Sequence, residues 1–487
     1  MVEFKFSNTK SSTKSATKVI LTSASLLENC TFCDQATLKS LKSAAKNSKF
    51  DGSLGANVSI YDGKDHTFLF GIGQSPTELD LQTVGAKIYK QISNFEHVAI
   101  CVDATTKNKL SASQIACHVA FGIELASYRF DKYFTTKKAE DFPKLDTVEL
   151  ISSAEKLSAK DYNNLRSVAN AVRYARDLCN EPANYLTPEV FAADIKRLEY
   201  LGLKVKILEE KEIRAQGMNM LLSVSQGSHN SPRVAIIRWE GAPKSTKPEL
   251  GLIGKGVTFD SGGISLKPAS GMGDMKGDMT GAAVVVATLK AAALCKVKQN
   301  ITGIVGLVEN MPSGHASRPG DIVSSMSGQT VEIINTDAEG RLVLGDCLWY
   351  LQQKYKSQIL IDIATLTGST MRTFGFEYAG LFSNTDGLAN DLYAKGLESG
   401  EKLWRLPVTK EYDKLIDSDI ADMKNCGPAN GGGITAACFL QRFVKPENCW
   451  AHLDIAGVDR DDKGHPLTPK GATGWGVRLL TKFINCY

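Results

Sequence analysis

Asp337, Glu339 and Arg341 occupy alternate positions of the stretch "NTDAEGRL", residues 335–342. The run before it, "TVEIINTD", reads as an extended strand, and "RLVLGDCLWYLQQKY" after it has helical spacing, so two carboxylates and a guanidinium stand at a strand-to-helix corner. In an extended segment Asp337 and Glu339 project to the same side. Gly340 then lets the chain turn. Arg341 falls at the start of the helix, where free N–H groups and the helix dipole favour a small anion. A corner of this kind offers carboxylates to a metal and a guanidinium to an anion.

A second charged stretch, "KGVTFDSGGISLKPASGMGDMKGD", follows the strand "LGLIG" and places Lys255, Asp260, Lys267, Asp274, Lys276 and Asp278 in a glycine-rich loop. Glycines allow tight turns, so such a loop can bring distant side chains to one point. Carboxylates gathered without countercharge repel one another and take up protons, whereas a divalent cation keeps them ionised. The oxygen-rich set points to Mg, Mn or Zn. The absence of His or Cys from both stretches argues against a structural zinc.

The elements that must position these residues read as α/β. Apolar residues at Tyr162, Leu165, Val168, Val172, Ala175 and Leu178 predict an amphipathic helix starting after Ser158 and stopping near "NEP" at Pro182. A second helix is expected from Thr187 as N-cap and Pro188 as first helical residue to Gly202. Upstream, the strand-like "HVAICVDA" and the helix-like "SASQIACHVAFGIELASYRF" predict a small α/β domain. Downstream, apolar runs at 250–256, 301–309, 359–366 and 450–457 suit a mixed, mostly parallel sheet covered by helices on both faces, an α/β/α layering. In such sheets ligands gather beyond the carboxyl ends of the strands. The expected division is a domain of residues 1–155, a connecting helix of 156–180 and a catalytic domain of 181–487.

Composition excludes several classes. The 487 residues carry a net charge of +4 without long single-sign runs, so no nucleic-acid or anionic-membrane partner is called for. The most apolar window, 281–295, is broken by Lys290 and falls short of the roughly 20 residues that cross a bilayer. The N-terminus lacks the apolar core of a secretory signal, and eleven cysteines fit reduced thiols, so a cytoplasmic location is expected and the sequons at Asn29, Asn57 and Asn300 would stay unmodified. "CTFC" at 30–33 has no second pair and reads as structural. His315 reads as a rim residue. No Walker A sequence and no G-x-S-x-G elbow occurs.

"NTDAEGRLVL" resembles the signature of the leucine (cytosol) aminopeptidase family, and "GKGVTFDSGGISLKP" with "MKGDMTGAA" resembles its other metal-binding segments in order and spacing. The likeness extends over about residues 165–487, through "NEPAN", "TLTG" and "GGGITAA". It implies a two-metal peptidase that removes N-terminal leucine and other apolar residues. One ion would be held by Lys255, Asp260, Asp278 and Glu339, the more exchangeable one by Asp260, Asp337 and Glu339, as Zn²⁺ with Mn²⁺ or Mg²⁺ in the second site. Lys255 must then bind as a neutral amine. Lys267 would stabilise the oxyanion, Arg341 would hold a bicarbonate that moves a proton to the leaving amine, and Met275, Asn335, Ala338 and Thr365 would surround the first residue. The resemblance also implies a homohexamer acting on peptides with a free N-terminus. Two other readings stand beside it: a two-metal phosphoesterase, which the ligand types alone allow, and a non-catalytic structural protein on the same scaffold.

Overall fold

The computed structural model describes residues 2–7, 16–23, 32–63, 65–104, 106–153, 155–245, 249–355 and 357–486. The chain divides into two compact units, one of residues 1–169 with 463–470, the other of 170–462 with 471–487. Asn29 and Cys30 lie outside the described residues, so the "CTFC" pair is represented by Cys33 alone.

The first unit holds strands β1 (Glu3–Ser7), β2 (Thr17–Thr22), β3 (Asn57–Tyr61), β4 (His66–Gly71), β5 (His97–Cys101) and β6 (Thr147–Ile151). They form one sheet in the order β1-β6-β5-β2-β4-β3, parallel except for β3 at one edge. Helices α1 (Gln35–Asn47), α2 (Glu78–Ile92) and α3 (Ala112–Ala126) complete it. Both α2 and α3 open with a reciprocal capping box, Thr77 with Asp80 and Ser111 with Gln114.

The long helix α4 (Ala159–Asn180) begins directly after Ser158 and ends before Pro182, as its apolar spacing requires. Helix α5 (Pro188–Arg197) starts with Pro188 at its first turn and Thr187 accepting the Val190 N–H. It tightens into a 3₁₀ turn that stops at Gly202, whose φ of 86° is left-handed.

The second unit is built on eight strands: β7 (Lys204–Leu208), β8 (Arg233–Glu240), β9 (Leu250–Asp260), β10 (Asn300–Asn310), β13 (Ile359–Ala364), β14 (Ala379–Ser383), β15 (Leu403–Arg405) and β17 (Cys449–Asp454). A separate ribbon consists of β11 (Ile322–Ser324), β12 (Thr330–Glu332) and β16 (Met423–Lys424). The main sheet runs β15-β14-β17-β13-β9-β10-β8-β7; its four central strands are parallel, and β14 and β8 join them antiparallel. Every residue of β13 is buried, which a strand covered on both faces demands. Those covers come from α6 (Glu210–Ala215), α7 (Asn219–Ser225), α8 (Thr280–Leu294), α9 (Gly340–Lys354), α10 (Gly368–Phe374), α11 (Asp386–Ser399), α12 (Lys410–Asp413), α13 (Gly432–Gln441) and α14 (Val477–Cys486). A Cβ on Gly254 would meet Ala282 of α8 at 2.6 Å, and one on Gly251 would meet Leu351 of α9 at 2.5 Å. Positions 251 and 254 face opposite ways along β9, so α8 and α9 sit on opposite faces of the sheet. The helical stretch Met272–Leu294 is long and apolar enough to cross a membrane by composition, but 83% of its most apolar window is buried inside the protein, where α8 covers the sheet.

Two expectations change. Lys255 and Asp260 belong to β9 itself, because the strand runs eleven residues to Asp260 and the loop begins only at Ser261. Strand β12 ends at Glu332 in the small ribbon; Ile333 still bonds to the backbone of Gly320 and Asp321, and the stretch from Ile334 to Glu339 forms no strand. There a turn closes between Asn335 and Ala338, whose N–H donates to the Asn335 carbonyl at 3.2 Å. Asp337 and Glu339 are brought round by this turn, not by strand alternation.

Candidate metal centre

Three segments meet beyond the carboxyl end of β9. The strand supplies Lys255 and Asp260, the segment leading into α8 supplies Asp278, and the turn before α9 supplies Asp337 and Glu339. Lys267 enters from the loop after β9. Gly262, at φ 88°, turns that loop so that its N–H donates to Asp260 Oδ1 at 2.9 Å.

Lys255 Nζ lies 2.7 Å from Asp278 Oδ1 and 2.8 Å from Glu339 Oε1, and donates to the Thr365 carbonyl at 2.9 Å. Its side chain is 3% exposed. It reaches this point past Gly340, where a Cβ would stand 2.6 Å from Lys255 Cε. Lys267 Nζ lies 2.7 Å from Asp260 Oδ2 and also pairs with Asp337. Four carboxylates thus face two ammoniums.

Burial pushes the Asp260 carboxyl up to about 6 and Glu339 adds to the rise, while Lys267 and Lys255 oppose it. Asp278 is driven well above the ordinary carboxyl range by burial, against Lys255, and Asp337 is raised by burial as well. Glu339 goes the other way: burial opposes its ionisation, but the charges of Lys255 and Lys267 hold it below its usual value. Burial disfavours charge on both lysines too, and the surrounding carboxylates overcome it, so both hold their protons more tightly than a free lysine.

The cluster fits divalent cations. Carboxylate oxygens of Asp260, Asp337 and Glu339 lie within 4.8 Å of one another. Asp278 Oδ2 and Glu339 Oε2 are buried without a hydrogen-bond partner, a costly state for acceptors in a protein interior and one that a bound ion relieves. Arg341 is also buried, and its Nε and Nη1 have no partner. Burial lowers its pKa, and an anion at the first turn of α9 would answer both the guanidinium and the helix dipole.

Thr365 Oγ1 donates to Asp278 Oδ1 at 2.8 Å. Asn335 Oδ1 accepts the Asp337 N–H at 2.9 Å, and Ala338 lies buried in the same turn. Met275 is half-buried in the 3₁₀ segment Met272–Gly277, its carbonyl accepting the Asp278 N–H. Asp274 and Lys276 turn elsewhere, to Arg460 and to the Asn180 carbonyl, and His315 is exposed.

Three residues had no signal in the sequence. Asn425 is fully buried; its Nδ2 donates to the carbonyls of Asn335 at 2.7 Å and Ala338 at 3.2 Å, and its Oδ1 accepts the Ile334 N–H at 2.9 Å. Asn310 Nδ2 donates to Asp260 Oδ1 at 2.8 Å and to the Thr336 carbonyl at 3.0 Å. Thr336 exchanges hydrogen bonds with Ser265, tying the two ligand loops together.

A mixed α/β sheet with a carboxylate-rich cluster beyond its strand ends fits a metal-dependent enzyme. Residues 173–481 match the cytosol aminopeptidase family, catalytic domain, and the chain belongs to that family. It is 52% identical over 378 residues to a probable cytosol aminopeptidase of Caulobacter vibrioides, covering 77% of this chain and 76% of that one. A probable cytosol aminopeptidase of Sinorhizobium medicae is 46% identical, with 91% and 90% covered. Among solved structures, a tomato leucine aminopeptidase mutant superposes with a TM-score of 0.87 at 30% identity, covering 100% of this chain and 97% of that one. The bottromycin maturation enzyme BotP in complex with Mn does so with a TM-score of 0.84 at 32% identity, covering 97% and 99%. The protein is a metal-dependent aminopeptidase, and the non-catalytic reading is not favoured.

Proposed function

We propose that the enzyme releases leucine and other apolar residues from the free N-terminus of peptides, using two divalent ions in the cluster around Lys255. The observation that carries this is the convergence of four carboxylates, two of them with buried unpaired oxygens, on one point at the strand ends. Lys255, Asp260, Asp278 and Glu339 would hold a Zn²⁺, and Asp260, Asp337 and Glu339 an exchangeable Mn²⁺ or Mg²⁺. Bound there, the ions supply Lewis acidity toward the scissile carbonyl and lower the pKa of the attacking water.

The chain's own groups do the rest. Without ions the carboxylates favour the ammonium of both lysines; with cations answering that charge, Lys255 would give up its Nζ proton to serve as a ligand, while Lys267 would keep its charge and donate to the oxyanion. Arg341 would hold a bicarbonate, which would supply a proton carrier toward the leaving amine. Met275, Asn335, Ala338 and Thr365 surround the first residue, with Asn425 fixing the turn that contains two of them. Assembly as a homohexamer in the cytoplasm completes the reading.

The test is hydrolysis of a leucine-derived chromogenic amide after chelation and again after adding Mn²⁺ or Zn²⁺, beside an N-acetylated control. Activity that returns with metal and vanishes with the blocked amine is expected. A folded protein inactive with every metal would overturn the proposal.

A further inference from the structure

Asp459 stands in the turn after β17, at the carboxyl end of the parallel strands, and no step of the reaction above uses it. It is partly exposed. Among the described residues its carboxylate accepts only backbone N–H groups, that of Gly457 at 3.2 Å and its own. Arg460, whose positive charge acts on it, is shared with two other acids. Arg460 is paired with Asp274 and lies 2.9 Å from Asp462, and Lys276 donates to the Asn180 carbonyl at 3.0 Å. The other titratable groups that face it, Asp274 and the buried Cys179, bring no positive charge. Burial pushes its carboxyl up to about 6 against the charge of Arg460, so at neutral pH it is ionised, with no salt bridge of its own among the described residues.

Its carboxylate adjoins the segment that carries Asp278. A Cβ on Gly277 would stand 3.7 Å from Asp459 Oδ2, and Gly277 immediately precedes Asp278. Met275 is two residues further back in the same segment. On the opposite side, a Cβ on Gly457 would stand 3.0 Å from Met371 Cγ. The Asp459 backbone is fixed, its carbonyl accepting both the N–H and the hydroxyl of Thr473 at 3.0 Å. A carboxylate held rigidly and partly out of water attracts a cation more strongly than it would in open water.

We propose that Asp459 sets the specificity of the first-residue pocket, admitting the cationic side chains of lysine and arginine beside apolar ones. The apolar stem of such a residue lies along the methionines while its charged end reaches Oδ2. This rests on the aminopeptidase reading, and the experiment separates the two. The metal-loaded enzyme is assayed with lysyl and norleucyl 4-nitroanilides, which match in length and differ in charge, in the wild type and in Asp459→Asn and Asp459→Leu. The lysyl-to-norleucyl ratio of kcat/KM is expected to fall about tenfold in both variants. A ratio that stays within threefold of wild type overturns the proposal. Should the variants not fold, the wild type decides alone: lysyl turnover within about thirtyfold of norleucyl supports the proposal, since an unpaired ammonium in an apolar pocket costs far more, and a lower value overturns it. No hydrolysis of the norleucyl amide would overturn the aminopeptidase reading and this inference with it.

Discussion

Gly340 can be tested by adding a single methyl group. In Gly340→Ala the new Cβ would lie 2.6 Å from Lys255 Cε, 2.7 Å from Cδ and 2.9 Å from Nζ. Carbon atoms settle at about 3.5 to 4 Å, so the lysine stem must retreat by about 1 Å. It has little room to do so, being 3% exposed and held by Asp278, Glu339 and the Thr365 carbonyl at 2.7, 2.8 and 2.9 Å. The crowding should destabilise the fold by about 1 to 3 kcal/mol. A 1 Å misplacement of a catalytic constellation costs on the order of 10² in rate. The assay is kcat/KM on a leucyl amide with metal content measured on the same sample, beside a denaturant titration. A variant that folds with wild-type stability, binds the same metal and turns over normally would refute the idea that Gly340 exists to let Lys255 pass.

Lys267→Ala should lower turnover by roughly 10² with metal content intact, as expected for loss of an oxyanion donor; unchanged turnover would remove it from the mechanism. Asn425→Ala leaves the carbonyls of Asn335 and Ala338 without their buried donor, which should cost about 2 to 4 kcal/mol in a denaturant titration and lower kcat/KM by more than tenfold. Asp346 is buried on α9, where its carboxylate accepts the N–H groups of Leu221 at 3.0 Å and Met326 at 2.8 Å, and burial pushes its carboxyl up to about 7 despite these bonds. Its folded pKa is thus above its unfolded value, so the folded state binds a proton that the unfolded chain has already released. This contribution to stability is present at low pH and is lost as pH rises toward 7, with a limiting slope of about 1.4 kcal/mol per pH unit. Unfolding free energies at pH 5 and 7 should differ more in the wild type than in Asp346→Asn, and parallel profiles would dismiss the assignment.

The chemistry of the site was legible because charged residues beside glycines at strand ends are hard to explain as packing. Every expected ligand residue converges, and the helix boundaries at Ser158, Pro188 and Gly202 follow from local capping rules. The misreadings have physical causes. Gly256, with the glycines after it, suggested a loop, but it serves close packing: a Cβ there would lie 2.5 Å from the Gly306 carbonyl, so Lys255 and Asp260 stay on β9. "TVEIINTD" has strand-like composition, yet past Ile333, which still bonds to the backbone of Gly320 and Asp321, side chains take over from the ladder: Asn425 and the Thr336–Ser265 pair. Asn310 and Asn425 act through backbone and carboxylate partners far away in the chain, and no local pattern announces such a role.

The proposed ligands come from positions as far apart as 255 and 339, carried by a strand, a helix entry and a turn that only the folded chain brings together. An unfolded chain therefore offers nothing comparable for the ions to hold. Whatever binds here stabilises the whole unit by mass action, about 2.7 kcal/mol at a free concentration one hundred times the dissociation constant. The midpoint of thermal unfolding is then a gauge of occupancy, rising with each ion loaded. A storage buffer containing a chelator would shorten the life of the enzyme as well as silence it.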